Sequence, residues 1–344
     1  LALLFIDGFD HYATADILKK WDYINKSNRV IIDTGNKKSG TSSLRLQDQY
    51  GWNESPYVYK NISAKQTVII GFMIKVQPAD IASNISNPSI RFYDSSSLNI
   101  ECRIIDNCSI NVYRNTTLLG TSSNIIDYNI WVHFQIKVVI DSINGSVEIK
   151  KDGEDFYSLT GINTQSGSNA WVNRLQLMIL SKDDYSGDGY VWYDDLYIAD
   201  DFQGVCIVDT KYPNGAGNST QWTPSTGANF ECVDEVVFDN TDQIASKTVG
   251  QIDTFNFEDI LAPNDVNTIK GVQHNIFTKT DDIGYRKITP IIRPSTSNID
   301  GTELDVSSTN YKLFSQIYNT NPETSQPWTI SEVNATEFGV KVTE

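Results

Sequence analysis

Residues 131–161 read WVHFQIKVVIDSINGSVEIKKDGEDFYSLTG, and no other stretch limits the possible folds as much. Val132, Phe134, Ile136, Val138 and Ile140 alternate with His133, Gln135 and Lys137, the two-residue period of a half-buried strand. Asn144-Gly145 supplies a turn, since glycine tolerates positive φ. A second strand then places Val147 and Ile149 inward and Glu148 and Lys150 outward. Asp152-Gly153 marks a second hairpin, along which residues 156–159 return. Three antiparallel strands on two short turns make a meander whose apolar face needs a second layer to cover it. The polar face, His133 included, is expected in solvent.

No window elsewhere carries a sustained helical stripe. The chain's 17 tyrosines and 14 phenylalanines, with many Val, Ile and Thr, favour sheet and exclude a disordered chain. Further strands are expected at 2–6, 30–34, 43–47, 67–76, 90–93, 99–104, 110–113, 118–121, 172–180 and 190–199. Short strands with turns at such intervals fit a jelly-roll sandwich. At 344 residues the chain predicts two domains. The second has its own strands at 205–210, 248–257, 268–278, 286–293 and 311–318, a helical turn at 331–335 and a final strand at 338–342. Between the first two of these, residues 212–235 read as a long turn-rich loop, from Pro213, Gly215 and Gly217.

A formal charge of −16 argues against nucleic acid and against an anionic membrane surface, both of which call for clustered Lys and Arg. Residues 1–6 are apolar but too short for a signal core, and no stretch is long enough to span a bilayer. Four cysteines make no disulfide framework at this length, so free buried thiols are expected. Nine Asn-x-Ser/Thr sequons carry little weight in a chain this rich in those residues.

The tryptophan opening one strand and the next strand ending in Asp-Gly resemble the central signature of laminin G/concanavalin A-like jelly rolls. Tyr190-Val191-Trp192-Tyr193-Asp194-Asp195-Leu196-Tyr197-Ile198 resembles the last strand of the same folds, which commonly pairs beside the first. The resemblance implies an all-β protein: a lectin-like sandwich over 1–201, closing near Asp200-Asp201, followed by a second β-sandwich domain over 202–344. A second resemblance rests on ALLFIDGFDHYAT, YPNGAGNSTQWTPS and WTISEVNATEFGVKV, which together are similar to a family of tailed-phage virion proteins. It implies a structural protein of tail or capsid, made in the host cytoplasm and assembled into the virion with copies of itself and other virion proteins. The other reading of the lectin-like domain is an adhesin that binds host surface glycans.

Concanavalin A-like glycosidases carry Glu-x-Asp-x-x-Glu on one strand, placing acid, base and nucleophile on one face. No such string occurs, nor any Gly-rich phosphate loop or cysteine zinc motif, and the sequence reading is therefore no enzyme. The acidic loop Asp184-Tyr185-Ser186-Gly187-Asp188-Gly189, followed by Asp195, offers oxygen ligands at alternate positions around a glycine turn. That pattern suits calcium, with Asp184, Asp188 and Asp195 as ligands; a solvated acidic hairpin loop is the alternative reading. For a sugar, Tyr50, Trp52 and Trp222 are the loop aromatics that could stack on a pyranose face, packing or a subunit contact being equally open to them.

Overall fold

In the computed structural model, which describes residues 2–50, 54–78, 87–123, 126–181, 187–261 and 268–344, the chain is all-β. It divides into two units, Leu1–Asp10 with Thr14–Val208 and His11–Ala13 with Asp209–Glu344. The strands of the first unit are β1 (Leu3–Asp7), β2 (Tyr23–Asn25), β3 (Val30–Asp33), β4 (Ser43–Asp48), β5 (Tyr57–Lys65), β6 (Thr67–Gln77), β7 (Asn87–Asp94) and β8 (Ser97–Ile104). They continue as β9 (Ile110–Arg114), β10 (Thr117–Thr121), β11 (Val132–Val139), β12 (Gly145–Lys151), β13 (Glu154–Ile162), β14 (Val172–Leu180) and β15 (Gly189–Ala199).

One sheet runs β13-β12-β11-β6-β15-β4-β3, with β1 beside β15, and the other runs β10-β9-β8-β7-β14-β5-β2. All pairings are antiparallel. The meander is β11 to β13, with Ile136 opposite Ile149 and Val138 opposite Val147. Asp152 and Gly153 both take positive φ, as its second turn requires. Gly145 serves differently from the expected turn glycine. Asp141 accepts from the backbone N–H of Ile143 and Asn144, and a Cβ at 145 would overlap the Thr164 side chain.

The core fills the space between the sheets. Phe72, Ile70, Phe134, Ile136, Tyr193 and Leu44 come from the first, and Val58, Leu177, Ile90, Phe92 and Val112 from the second, all buried. Full burial of each such side chain contributes about 1.5–3 kcal/mol. Part of the outer face of the first sheet is covered as well. Residues 205–208, expected to begin the first strand of a domain starting at 202, form none, and residues 202–208 belong to this unit. Gln135 Oε1 accepts from Gly204 N (3.0 Å) and from Tyr197 Oη (2.9 Å), and Lys137 and Lys150 lie over the Phe202 ring. His133, opposite Met73 and stacked on Tyr197, is therefore fully buried, not solvated as its alternation suggested.

The strands of the second unit are β16 (Pro213–Thr220), β17 (Thr223–Pro224), β18 (Ile244–Ala245), β19 (Ile252–Phe257), β20 (Val272–Thr278), β21 (Arg286–Arg293), β22 (Ile299–Asp300), β23 (Leu304–Val306), β24 (Lys312–Tyr318) and β25 (Glu337–Val342). A sheet β16-β19-β25-β21-β22, with β23 beside β21, packs on the β20-β24 pair: Ile276 and Phe314 meet Ile288, Val306 and Val340. β16 occupies what reads as loop, its glycines and asparagines forming an edge strand whose burial alternates residue by residue. The helical turn α1 (Ile330–Ala335) starts with a capping box between Thr329 and Glu332. Among the described residues, no helix is long and apolar enough to cross a membrane.

Candidate functional site

Antiparallel pairing places directly opposed residues on one face of a sheet. On the outer face of the second sheet this lines up Tyr23, Tyr59, Gln176, Arg91, Glu101 and Tyr113, one from each of β2, β5, β14, β7, β8 and β9. Beside it runs a second row: Asn25, Tyr57, Met178, Ser89, Arg103, Asn111 and Thr121. Asn61, Arg174 and Tyr93 make a shorter third. At about 4.8 Å between strands, the first row spans roughly 24 Å. The opposite side of the same strands carries Val58, Leu177, Ile90, Cys102 and Val112, all buried in the core. The alternation that builds the core thus also builds a polar, aromatic face.

Its centre is Glu101. Oε1 accepts from Ser89 Oγ (2.6 Å), Arg91 Nη2 (3.2 Å) and Arg103 Nε (3.0 Å), and Oε2 accepts from Arg103 Nη2 (2.9 Å). Burial alone would raise this carboxyl's pKa; the Arg103 hydrogen bond and the Arg91 charge outweigh it and hold the group below its ordinary value. Glu101 is a fixed carboxylate that orients two guanidinium groups. Arg103 lies 4.7 Å over the Tyr113 ring, and Arg174 lies 4.4 Å over Tyr59. At the β2 end, Tyr23 stacks on Tyr59 at 5.2 Å and on Tyr57 at 5.7 Å. Asn111 donates to Tyr113 Oη (2.8 Å) and accepts from Thr121 Oγ1 (2.7 Å). Tyr23 is 41% exposed, and the Arg91 and Arg103 side chains are half-buried with part of their surface in solvent.

The residues singled out from the sequence lie elsewhere. Tyr50 is exposed in the loop after β4, and Trp222 packs in the second unit against Ile288, Val306 and Val340 with Nε1 donating to Gln251 O. Neither belongs to the polar face, and Trp52 lies outside the described residues. Asp188 precedes β15 and Asp195 lies just past its middle, seven residues on, a separation on the order of 20 Å, so one ion cannot take both. Asp188 accepts from Gln47 Nε2, Tyr50 N and Tyr190 Oη. Asp195, at positive φ in a bulge of β15, accepts from Ser39 Oγ (2.6 Å) and Val208 N (2.7 Å). Its neighbour Asp194 accepts from the backbone of Lys38 and Ser39. Burial pushes both acids up, Asp194 to about 7 and Asp195 to about 6. These carboxylates tie residues 38, 39 and 208 to the bulge. Asp184 lies outside the described residues. No group of three or more His, Cys, Asp or Glu among the described residues is arranged to hold a metal ion.

The first unit is thus a β-sandwich with one outer face partly covered by residues 200–208 and the other lined with tyrosine, arginine and amide side chains. No family model matches the chain, and no curated protein does. Among solved structures, it is similar to the marine PL-14 alginate lyase from Aplysia kurodai, at TM-score 0.47 and 11% identity over 58% of this chain and 100% of that one. It is similar to a GH131 β-glucanase catalytic domain from Podospora anserina (TM-score 0.40, 13% identity, 59% and 98%) and to lectin II from Ulex europaeus (0.33, 10%, 52% and 98%). The likeness is one of fold. With catalytic domains in this company, the reading of no enzyme, drawn from a missing string, does not stand; the likeness assigns the chain no reaction. None of the proteins named here is a virion protein.

Proposed function

We propose that the first unit binds carbohydrate across the outer face of the β10-β9-β8-β7-β14-β5-β2 sheet. The observation that carries this is the row of Tyr23, Tyr59, Gln176, Arg91, Glu101 and Tyr113. Aromatic rings offer an apolar surface to the C–H face of a pyranose, while amide and guanidinium groups beside them meet its hydroxyls in fixed directions. A row crossing six strands suits an extended chain of sugars better than a single ring. Supported side chains on paired strands are also preorganised, which lowers the entropy cost of binding.

A glycan array probed with the full chain, followed by titration calorimetry on the best ligand, tests the reading. Tyr59→Ala and Gln176→Ala are expected to weaken binding at least about tenfold without shifting the melting temperature by more than a few degrees. Tyr285→Ala, an exposed tyrosine of the second unit, is the control. Binding that survives both face variants would refute the proposal. The finer placement, in a tailed-phage virion beside copies of itself, is supported by the three sequence strings alone, and mass spectrometry of purified particles tests it.

A further inference from the structure

The polar face is distinguished by the sign of its charge. The chain carries 43 acidic and 27 basic residues, yet the charged side chains of the three rows are Arg91, Arg103 and Arg174 against the single carboxylate of Glu101. Glu101 is 1% exposed and spends both oxygens on Arg91, Arg103 and Ser89. It neutralises one guanidinium and leaves an excess of two positive charges on the face of an acidic protein. Donors remain for a ligand. Arg103 Nη1 has no partner among the described residues, and Arg174 uses only Nε, toward Asn61 Oδ1 (3.2 Å), with its plane set by the Tyr59 ring. A buried carboxylate behind and aromatic rings beneath hold these planar forks in place, which suits bidentate recognition of an anion.

We infer that the face selects anionic glycans, chains whose sugars bear carboxylate or sulfate, with Arg103 and Arg174 contacting the charged groups and the exposed ring of Tyr23, backed by Tyr57 and Tyr59, stacking on a sugar ring beside them. The inference rests on the carbohydrate-binding reading and adds the substrate class. In an acidic protein such a ligand is repelled by the surface at large, so the arginine face also fixes where it docks.

The test uses the full chain and matched polymers: polygalacturonate against its carboxyl-reduced form, and dextran sulfate against dextran. The expected result is retention of an anionic polymer and not of its neutral counterpart, with affinity falling as salt rises. Arg103→Gln and Arg174→Gln should each cost about tenfold, and Gln176→Glu should weaken the anionic polymer further relative to the neutral one. Arg103→Lys, which keeps charge but loses the fork, should fall between wild type and Arg103→Gln. Binding of polygalacturonate alone or dextran sulfate alone identifies carboxylate or sulfate as the anion, and either supports the inference. Equal binding of neutral and charged polymers, abolished by Tyr59→Ala, would overturn the inference and leave the carbohydrate-binding reading standing. Anionic binding indifferent to all the face variants, or equal retention of duplex DNA, would overturn it as well, the former together with that reading.

Discussion

Two buried ionisable side chains, Glu101 and His133, show opposite solutions to the same cost. Glu101 is satisfied by two guanidinium groups and a hydroxyl, so burial leaves it charged. His133 has neither ring nitrogen hydrogen-bonded and stays neutral, its pKa pushed down to about 4 by burial, against the smaller opposing pull of Asp152. In the unfolded chain the imidazole takes a proton near its ordinary value of 6.5. Between those limits the unfolded state binds more protons than the folded one, so the contribution of His133 is complete above pH 6.5 and is lost as pH falls toward 4. For a fully buried group this amounts to roughly 3 kcal/mol across the window. Melting the wild type and His133→Phe from pH 7 to pH 4 is expected to show a steeper acid decline in the wild type. Parallel curves would mean that the ring is solvated.

At the scale of elements, the cover over the β11 and β6 outer face depends on one close approach. Tyr197 lies across Gly71 so tightly that a Cβ there would overlap its ring, while its hydroxyl bridges Gln135 Oε1 and Gly204 O. Gly71→Ala is therefore expected to displace Tyr197, loosen residues 200–208 and cost about 2–4 kcal/mol in urea unfolding. A change below about 0.5 kcal/mol would show that the ring moves aside freely. This cover also marks the limit of what the sequence makes legible. The meander from β11 to β13 and the pairing of β1 with β15 follow from alternation, turn residues, family resemblance and spacing. Which face of a sheet a passing segment covers does not, because Gln135 meets Gly204 across 69 residues. The polar face was hidden for the same reason. Ser89-Ile90-Arg91-Phe92-Tyr93 and Glu101-Cys102-Arg103 show the right alternation, but read singly each is an ordinary solvated strand face. Only the register brings Arg91 opposite Glu101 and Tyr23 opposite Tyr59. In β16, Gly217 is required by the close approach of Thr254 and Glu337, and the same glycine in sequence signals a turn.

Over the whole molecule, the first unit treats its two outer faces differently: on one, residues 200–208 cover the part around Gln135 and Tyr197, while the other carries three rows of polar and aromatic side chains. Whether a glycan lies on the second of these is the decisive question. Hydroxyl-radical footprinting of the full chain, with and without the glycan chosen by the array, reads that directly, because tyrosine rings report their own exposure. Ligand is expected to lower the modification of Tyr23, Tyr57, Tyr59 and Tyr113 together and to leave Tyr285 of the second unit unchanged. Protection of Tyr285 or Tyr50, with the four sheet tyrosines reacting as before, would contradict binding on that face.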